Sequence, residues 1–256
     1  FQARPRELSL TGVVISGRVT PLGGNGVTDT ESGISARLAV YGESVSVGKH
    51  QLGELGHVSG GEEGDGDLIL LAPYALPNRR ARRQFKRQVE EAKVLDHPNI
   101  VRVREGATDR EEDRAFLATA RHPERTLWDL LQEGPLSPEV ALRLTCDLLN
   151  ALTRAHHRHF VHGGLDPRGV YVGDKDGHPT ALISAYGLPH LVGRRVETPH
   201  GMLRADPEYA APEVLKGQPT GPWSDVYSVG VLLFVMLTGK HPIPGEGEGR
   251  LARLAI

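Results

Sequence analysis

Apolar and polar positions alternate in short bursts along the first part of the chain. Thr11 to Ile15, Arg18 to Thr20, Ile34 to Tyr41 and Ser44 to Val47 are β-branched runs of strand character. Gly23, Gly24, Asn25 and Gly26, then Glu31, Ser32 and Gly33, tolerate positive φ and predict a loop between the second and third runs. Ser59 to Asp67 is Gly-rich and acidic, which predicts a flexible loop or a boundary, and Leu68 to Leu71 then reads as a buried strand. The period changes at Arg79: Phe85, Val89, Ala92 and Leu95 fall at helical spacing, with Asn78 as the N-cap. Val101 to Val103 and Ala115 to Ala118 predict two more strands around an acidic turn at Asp109 to Asp113. Helices dominate beyond them. Ser137 caps one that puts Val140, Leu144, Leu148, Leu149 and Leu152 on one side, and Trp223 to Thr238 forms another, apolar nearly all round, stopped by Gly239 and Pro242.

At 256 residues and 39% apolar, the chain can bury a sizeable core in one large or two small domains. Val226 to Leu237 is the most apolar run, about half the ~20 residues a membrane span needs, and reads as a buried core helix. A formal net charge of -2 supplies no global attraction to nucleic acid or anionic lipid, so neither is an expected partner. Cys146 is the sole cysteine, which excludes an internal disulfide and fits a reducing compartment, taken as cytoplasmic. The chain opens on Phe1 without a secretory pattern, which suggests a piece of a longer protein.

Local matches then accumulate in a fixed order. His97, Pro98, Asn99, Ile100 and Val101 form an HPNIV turn after the predicted helix. Val161 to Gly169 (VHGGLDPRG) stands where VHRDLKPxN belongs, and Ala185, Tyr186 and Gly187 stand at the DFG place. Asp206 to Leu215 (DPEYAAPEVL) matches the end of an activation segment, and Ser224 to Pro242 a central large-lobe helix. Together these residues, spread over Leu68 to Pro242, resemble the protein kinase superfamily, in particular bacterial Ser/Thr kinases. The resemblance implies an α+β, two-lobed fold with a β-rich extension at 1–58, a small lobe at 59–120, and a large lobe at 121–256 whose final helices are absent.

It also implies what the chemistry would need. Phosphoryl transfer rests on metal ions that clamp the phosphates, a lysine that holds them and an aspartate that orients the attacking hydroxyl. Here the catalytic-loop aspartate is Gly164, the loop asparagine Gly169, and the DFG aspartate Ala185, so no side-chain oxygen stands at these places. The small-lobe lysine falls at Leu70 or Leu71, and its partner glutamate at Gln88. Gly163 replaces the loop arginine, and Asp166 stands where a lysine would neutralise the transferring phosphate. Gly53 to Gly61 (GELGHVSGG) and Leu22 to Gly26 (LGGNG) both carry glycines, but neither is a clean GxGxxG.

The residues that match the family's structural pattern are His162, Pro167, Gly187, Ala211, Pro212, Glu213, Asp225 and Gly239. Asp225 is expected to accept backbone N–H bonds from the catalytic loop, and Glu213 would in the family pair with a later arginine. His156, His157, His159 and His162 lie close in sequence, but no Cys or paired carboxylate completes a metal site, so none is expected. The basic run Arg79, Arg80, Arg82, Arg83, Lys86 and Arg87 reads as a solvated helix face.

The expectation drawn is a catalytically inactive kinase-like domain, not an enzyme. It would have no cofactor and no Mg-ATP binding, and would act as a scaffold or allosteric module on a protein partner or an adjacent domain. The alternative is a divergent active Ser/Thr kinase or ATP-binding transferase that uses unconventional acids such as Asp166 or Glu90.

Overall fold

A computed structural model describes residues 42–50, 53–60, 65–71, 76, 78–108, 115–184, 196–198, 201–203 and 206–245. The first strands expected, from Thr11 to Tyr41, lie outside these residues, as do Ala185, Tyr186 and Gly187. Among the described residues the first elements are strands β1 (Gly42–His50), β2 (Gly53–Gly60) and β3 (Gly66–Leu71), followed by helix α1 (Arg79–Ala92), β4 (Val103–Thr108) and β5 (Ala115–Ala120). These strands make one antiparallel sheet in the order β1-β2-β3-β5-β4. Gly53 to Gly60 is therefore strand rather than a glycine loop, and Asp67, read as part of a loop, lies inside β3. The expected boundary at residues 58 and 59 falls within β2, which pairs along its length with β3.

Side chains alternate across β3. Ile69 and Leu71 share a buried cluster with Phe85, Val89 and Ala92 of α1 and with Val103, Ala115 and Leu117, whereas Leu70 points to the other face and is partly exposed. Asn78 caps α1 by accepting from the Ala81 N–H at 2.9 Å. Gly106 of β4 lets α1 approach, because a Cβ there would lie 2.7 Å from a Val89 methyl.

The second half builds α2 (Leu127–Leu131), α3 (Pro138–His156), the hairpin β6 (Val170–Lys175) and β7 (His178–Ile183), the short pair β8 (Val196–Thr198) and β9 (Gly201–Leu203), α4 (Pro212–Leu215) and α5 (Pro222–Thr238). Leu144, Leu148, Ala151, Leu152 and Ala155 of α3 meet Val229, Leu232, Val235 and Met236 of α5 and Val170, Ala181 and Ile183 of the hairpin in one core. Leu149, expected on the buried side of α3, is exposed. Gly239 ends α5 in the left-handed conformation at φ 66°, its N–H bonded to Val235 O at 2.8 Å.

The HPNIV turn ties the halves together. Val101 N donates to Ile183 O and Ile183 N donates to Asn99 O, both at 2.9 Å, and the Asn99 amide donates to Ala181 O.

Candidate active site

The loop from Val161 to Gly169 connects the end of α3 to β6, and three elements fix its shape. From below, the Asp225 carboxylate in the first turn of α5 accepts from His162 N at 2.8 Å and Gly163 N at 2.9 Å, with His156 Nε2 2.8 Å away. Asp225 is fully buried, so these donors replace the water it has lost. His162 is buried too, with Nε2 3.3 Å from Ser184 O, and burial holds its imidazole below the usual histidine range. Of the four histidines weighed as metal ligands, His156 and His162 are thus engaged with Asp225 and the backbone. Among the described residues no group of three or more His, Cys, Asp or Glu side chains could hold a metal ion.

At the top of the loop stands Asp166. Its Oδ1 accepts from Arg168 N at 2.7 Å and Gly169 N at 3.1 Å, which closes a tight turn over Pro167. Burial, reinforced by the charge of Asp206, pushes its carboxyl up to about 6. Gly164 and Gly169 place no side chain beside it, and Ser184 N donates to Gly169 O at 3.0 Å. The Arg168 guanidinium lies 3.7 Å above the Trp128 ring and reaches Asp206 Oδ2 at 3.7 Å. Neither Trp128 nor Arg168 stands out in the sequence; the structure brings them to Asp166.

The remaining residues singled out from sequence fall into two places. Ala211 and Pro212 open α4, and Glu213 Oε1 accepts from Ser224 Oγ of α5 at 2.6 Å. Gln88 lies half-buried on α1. Of the two residues expected at the lysine place, Leu71 faces α1 together with Ile69, and Leu70 does not.

A protein kinase is a nucleotide-dependent enzyme whose phosphates are clamped by divalent metal. Among the described residues no side chains are gathered into such a seat: Asp166 Oδ1 is held by its own loop, which leaves Oδ2 outside that turn, and Asp206 Oδ1 accepts from Glu208 N at 3.0 Å.

The family described as protein kinase domain matches residues 53–255. Serine/threonine-protein kinase PrkC of Bacillus subtilis is 30% identical over 186 residues, which cover 72% of this chain and 28% of that protein. PkaA of Streptomyces coelicolor is 32% identical over 59% of this chain and 28% of its own length. PkaB of the same organism is 28% identical over 80% of this chain and 51% of its own length. The chain thus spans about half or less of these relatives. The PknI kinase domain of Mycobacterium tuberculosis, in a crystal structure of a double mutant, shares the fold with a TM-score of 0.63 at 21% identity, over 80% of this chain and 78% of that one.

These findings correct two expectations. The chain was read as no enzyme because Gly164, Gly169 and Ala185 carry no acid or amide, yet the family match and the relatives named as kinases point to an enzyme. The expected lack of a cofactor falls with it, since kinase chemistry consumes a metal-bound nucleotide. Loss of residues at motif places is local information, whereas the match extends over both lobes: from Gly53 in β2 to past the end of α5, the chain belongs to the protein kinase domain family.

Proposed function

We propose that this chain is a divergent protein kinase domain that transfers phosphate from ATP to a hydroxyl group, with Asp166 as the carboxylate that takes the hydroxyl proton. The observation that carries this reading is the state of Asp166. It lies in the catalytic loop two residues beyond Gly164, and burial raises its carboxyl to about 6, near the value at which a general base both binds and releases a proton at neutral pH. Gly164 and Gly169 leave that carboxylate the sole side-chain acid of the loop from Val161 to Gly169. General-base assistance is worth ~10² to 10⁴ in rate, and Asp166 sits away from the family's place for the base, so turnover well below that of family members is expected.

Incubation of the purified chain with Mg-ATP and a pool of Ser- and Thr-containing peptides, followed by intact mass, tests the reading. Phosphate should be incorporated, and Asp166→Asn should lower the rate by ~10²-fold or more. Incorporation that Asp166→Asn leaves unchanged, or none at any ATP concentration, overturns the proposal.

A second reading, as an interaction module for a protein partner or neighbouring domain, is favoured by α5, where Trp223, Val226, Phe234 and Leu237 are exposed. The two roles are compatible, and Val226→Glu with Phe234→Glu separates them, since added charge on this exposed face should weaken partner binding and leave phosphotransfer intact. No helix among the described residues is long and apolar enough to cross a membrane.

A further inference from the structure

Away from the catalytic loop, an acid is buried where the sheet meets β6. Asp67 of β3 is fully buried, and each of its carboxylate oxygens faces a histidine. His57, its direct partner across the β2–β3 register, approaches Oδ1 through Nδ1. In the connection after β5, His122 donates its backbone N–H to Oδ2 at 2.8 Å, and its ring Nε2 lies 3.3 Å from the same oxygen. The other ring nitrogen faces Pro123 O at 3.1 Å. The His122 ring rests on Tyr171 of β6, with centroids 3.8 Å apart at 33°. Two small-lobe strands, the connection between the lobes and a large-lobe strand therefore meet around one carboxylate.

A carboxylate in this position is costly unless its partners stay, and one of them, the His122 ring, is itself packed against Tyr171 of β6. We propose that His57, Asp67 and His122, seated on Tyr171, form a proton-sensitive latch between the lobes, closed at neutral pH and released as the pH falls below the ordinary histidine range. The sign follows from the surroundings. Burial holds the His122 imidazole below its usual range, with His57 and Arg121 acting the same way and Asp67 and Pro123 O the opposite way. The closed state thus takes up a proton less readily than the open one, and acid favours opening. Glu124, 3.9 Å from His57 Nε2 and 4.0 Å from Arg121, is exposed and screened, and Asp129 acts on Tyr171. Thr119, paired with Asp67 across β3 and β5, is buried and carries no charge.

Hydrogen exchange on the full chain at pH 7.5 and 5.5, corrected for intrinsic exchange, tests the latch. Amides of β2, β3 and residues 121–126 should open more at pH 5.5, by about tenfold, as expected for one proton taken up over one unit below the histidine range. Amides of α3 and α5 serve as the internal reference. His122→Phe keeps a ring on Tyr171 and cannot titrate, so it should abolish the pH response. His122→Gln, equally unable to carry a proton, replaces it if the phenylalanine variant does not fold. A wild-type response confined to the reference helices, no response at all, or the same response in the His122 variant overturns the latch.

Discussion

Asp166 and Asp225 are both buried acids, yet their surroundings give them opposite characters. Asp225 spends both oxygens on donors from the loop and from His156, whereas Asp166 uses one oxygen on its own turn and carries the desolvation of the other. Asp225→Ala should therefore destabilise the chain by ~2 to 6 kcal/mol, since it strands the His162 and Gly163 amides at ~1 to 3 kcal/mol each. Urea unfolding measures it, and Asp225→Asn, which keeps one acceptor, should recover part of the loss. Equal midpoints for Asp225→Ala and wild type would remove Asp225 from the structural role. The part of Asp225 was legible from its place in a motif. That of Asp67 was not, because an acid at the end of SGGEEGDGD looks like one more solvated charge until β2 and β5 close over it.

At the scale of elements, the helical period placed α1 and α3 well but could not choose between neighbouring leucines. Leu148 is fully buried in the large-lobe core and Leu149, one residue on, is 38% exposed. Leu148→Ala should cost ~2 to 5 kcal/mol by transfer and cavity terms. Leu149→Ala should stay within about 0.5 kcal/mol, as exposed substitutions do. Thermal melts of the two variants decide, and similar losses would show that the side of α3 has been misassigned. Strand β2 was obscured for a different reason: its glycines suggest turns, and only pairing with β1 and β3 supplies the hydrogen bonds that keep Gly53 to Gly60 extended.

For the whole molecule, burial of ionisable groups sets the pH response, and two trends oppose each other. Burial lowers the His122 and His162 imidazoles, so the stability they contribute is present above the ordinary histidine range, about 6.5, and is lost as pH falls through it, because the unfolded chain binds their protons more readily. Asp166 is raised to about 6, against ~3.9 for a free aspartate, so its ionisation costs stability at neutral pH and that cost is relieved as pH falls from 6 towards 4. The shift corresponds to about 3 kcal/mol at pH 7. Asp166→Asn, whose amide oxygen can still accept from Arg168 N and Gly169 N, should stabilise the chain at pH 7 and make its loss of stability in acid steeper. Urea midpoints at pH 5, 6, 7 and 8 test this; an unchanged midpoint at pH 7 contradicts it. The sequence by itself determined the family, the elements from the strand at Leu68 to the one at Ala115, the two long helices α3 and α5, and the loop residues around Gly164, because period, turn residues and motif spacing are local properties of the chain; the hairpins β6–β7 and β8–β9 were not among its expectations. Tertiary structure alone decided that Asp67 is buried between His57 and His122, that Arg168 lies over Trp128 beside Asp206, and that Glu213 is met by Ser224, because those partners are distant in sequence and only packing brings their charges out of water together.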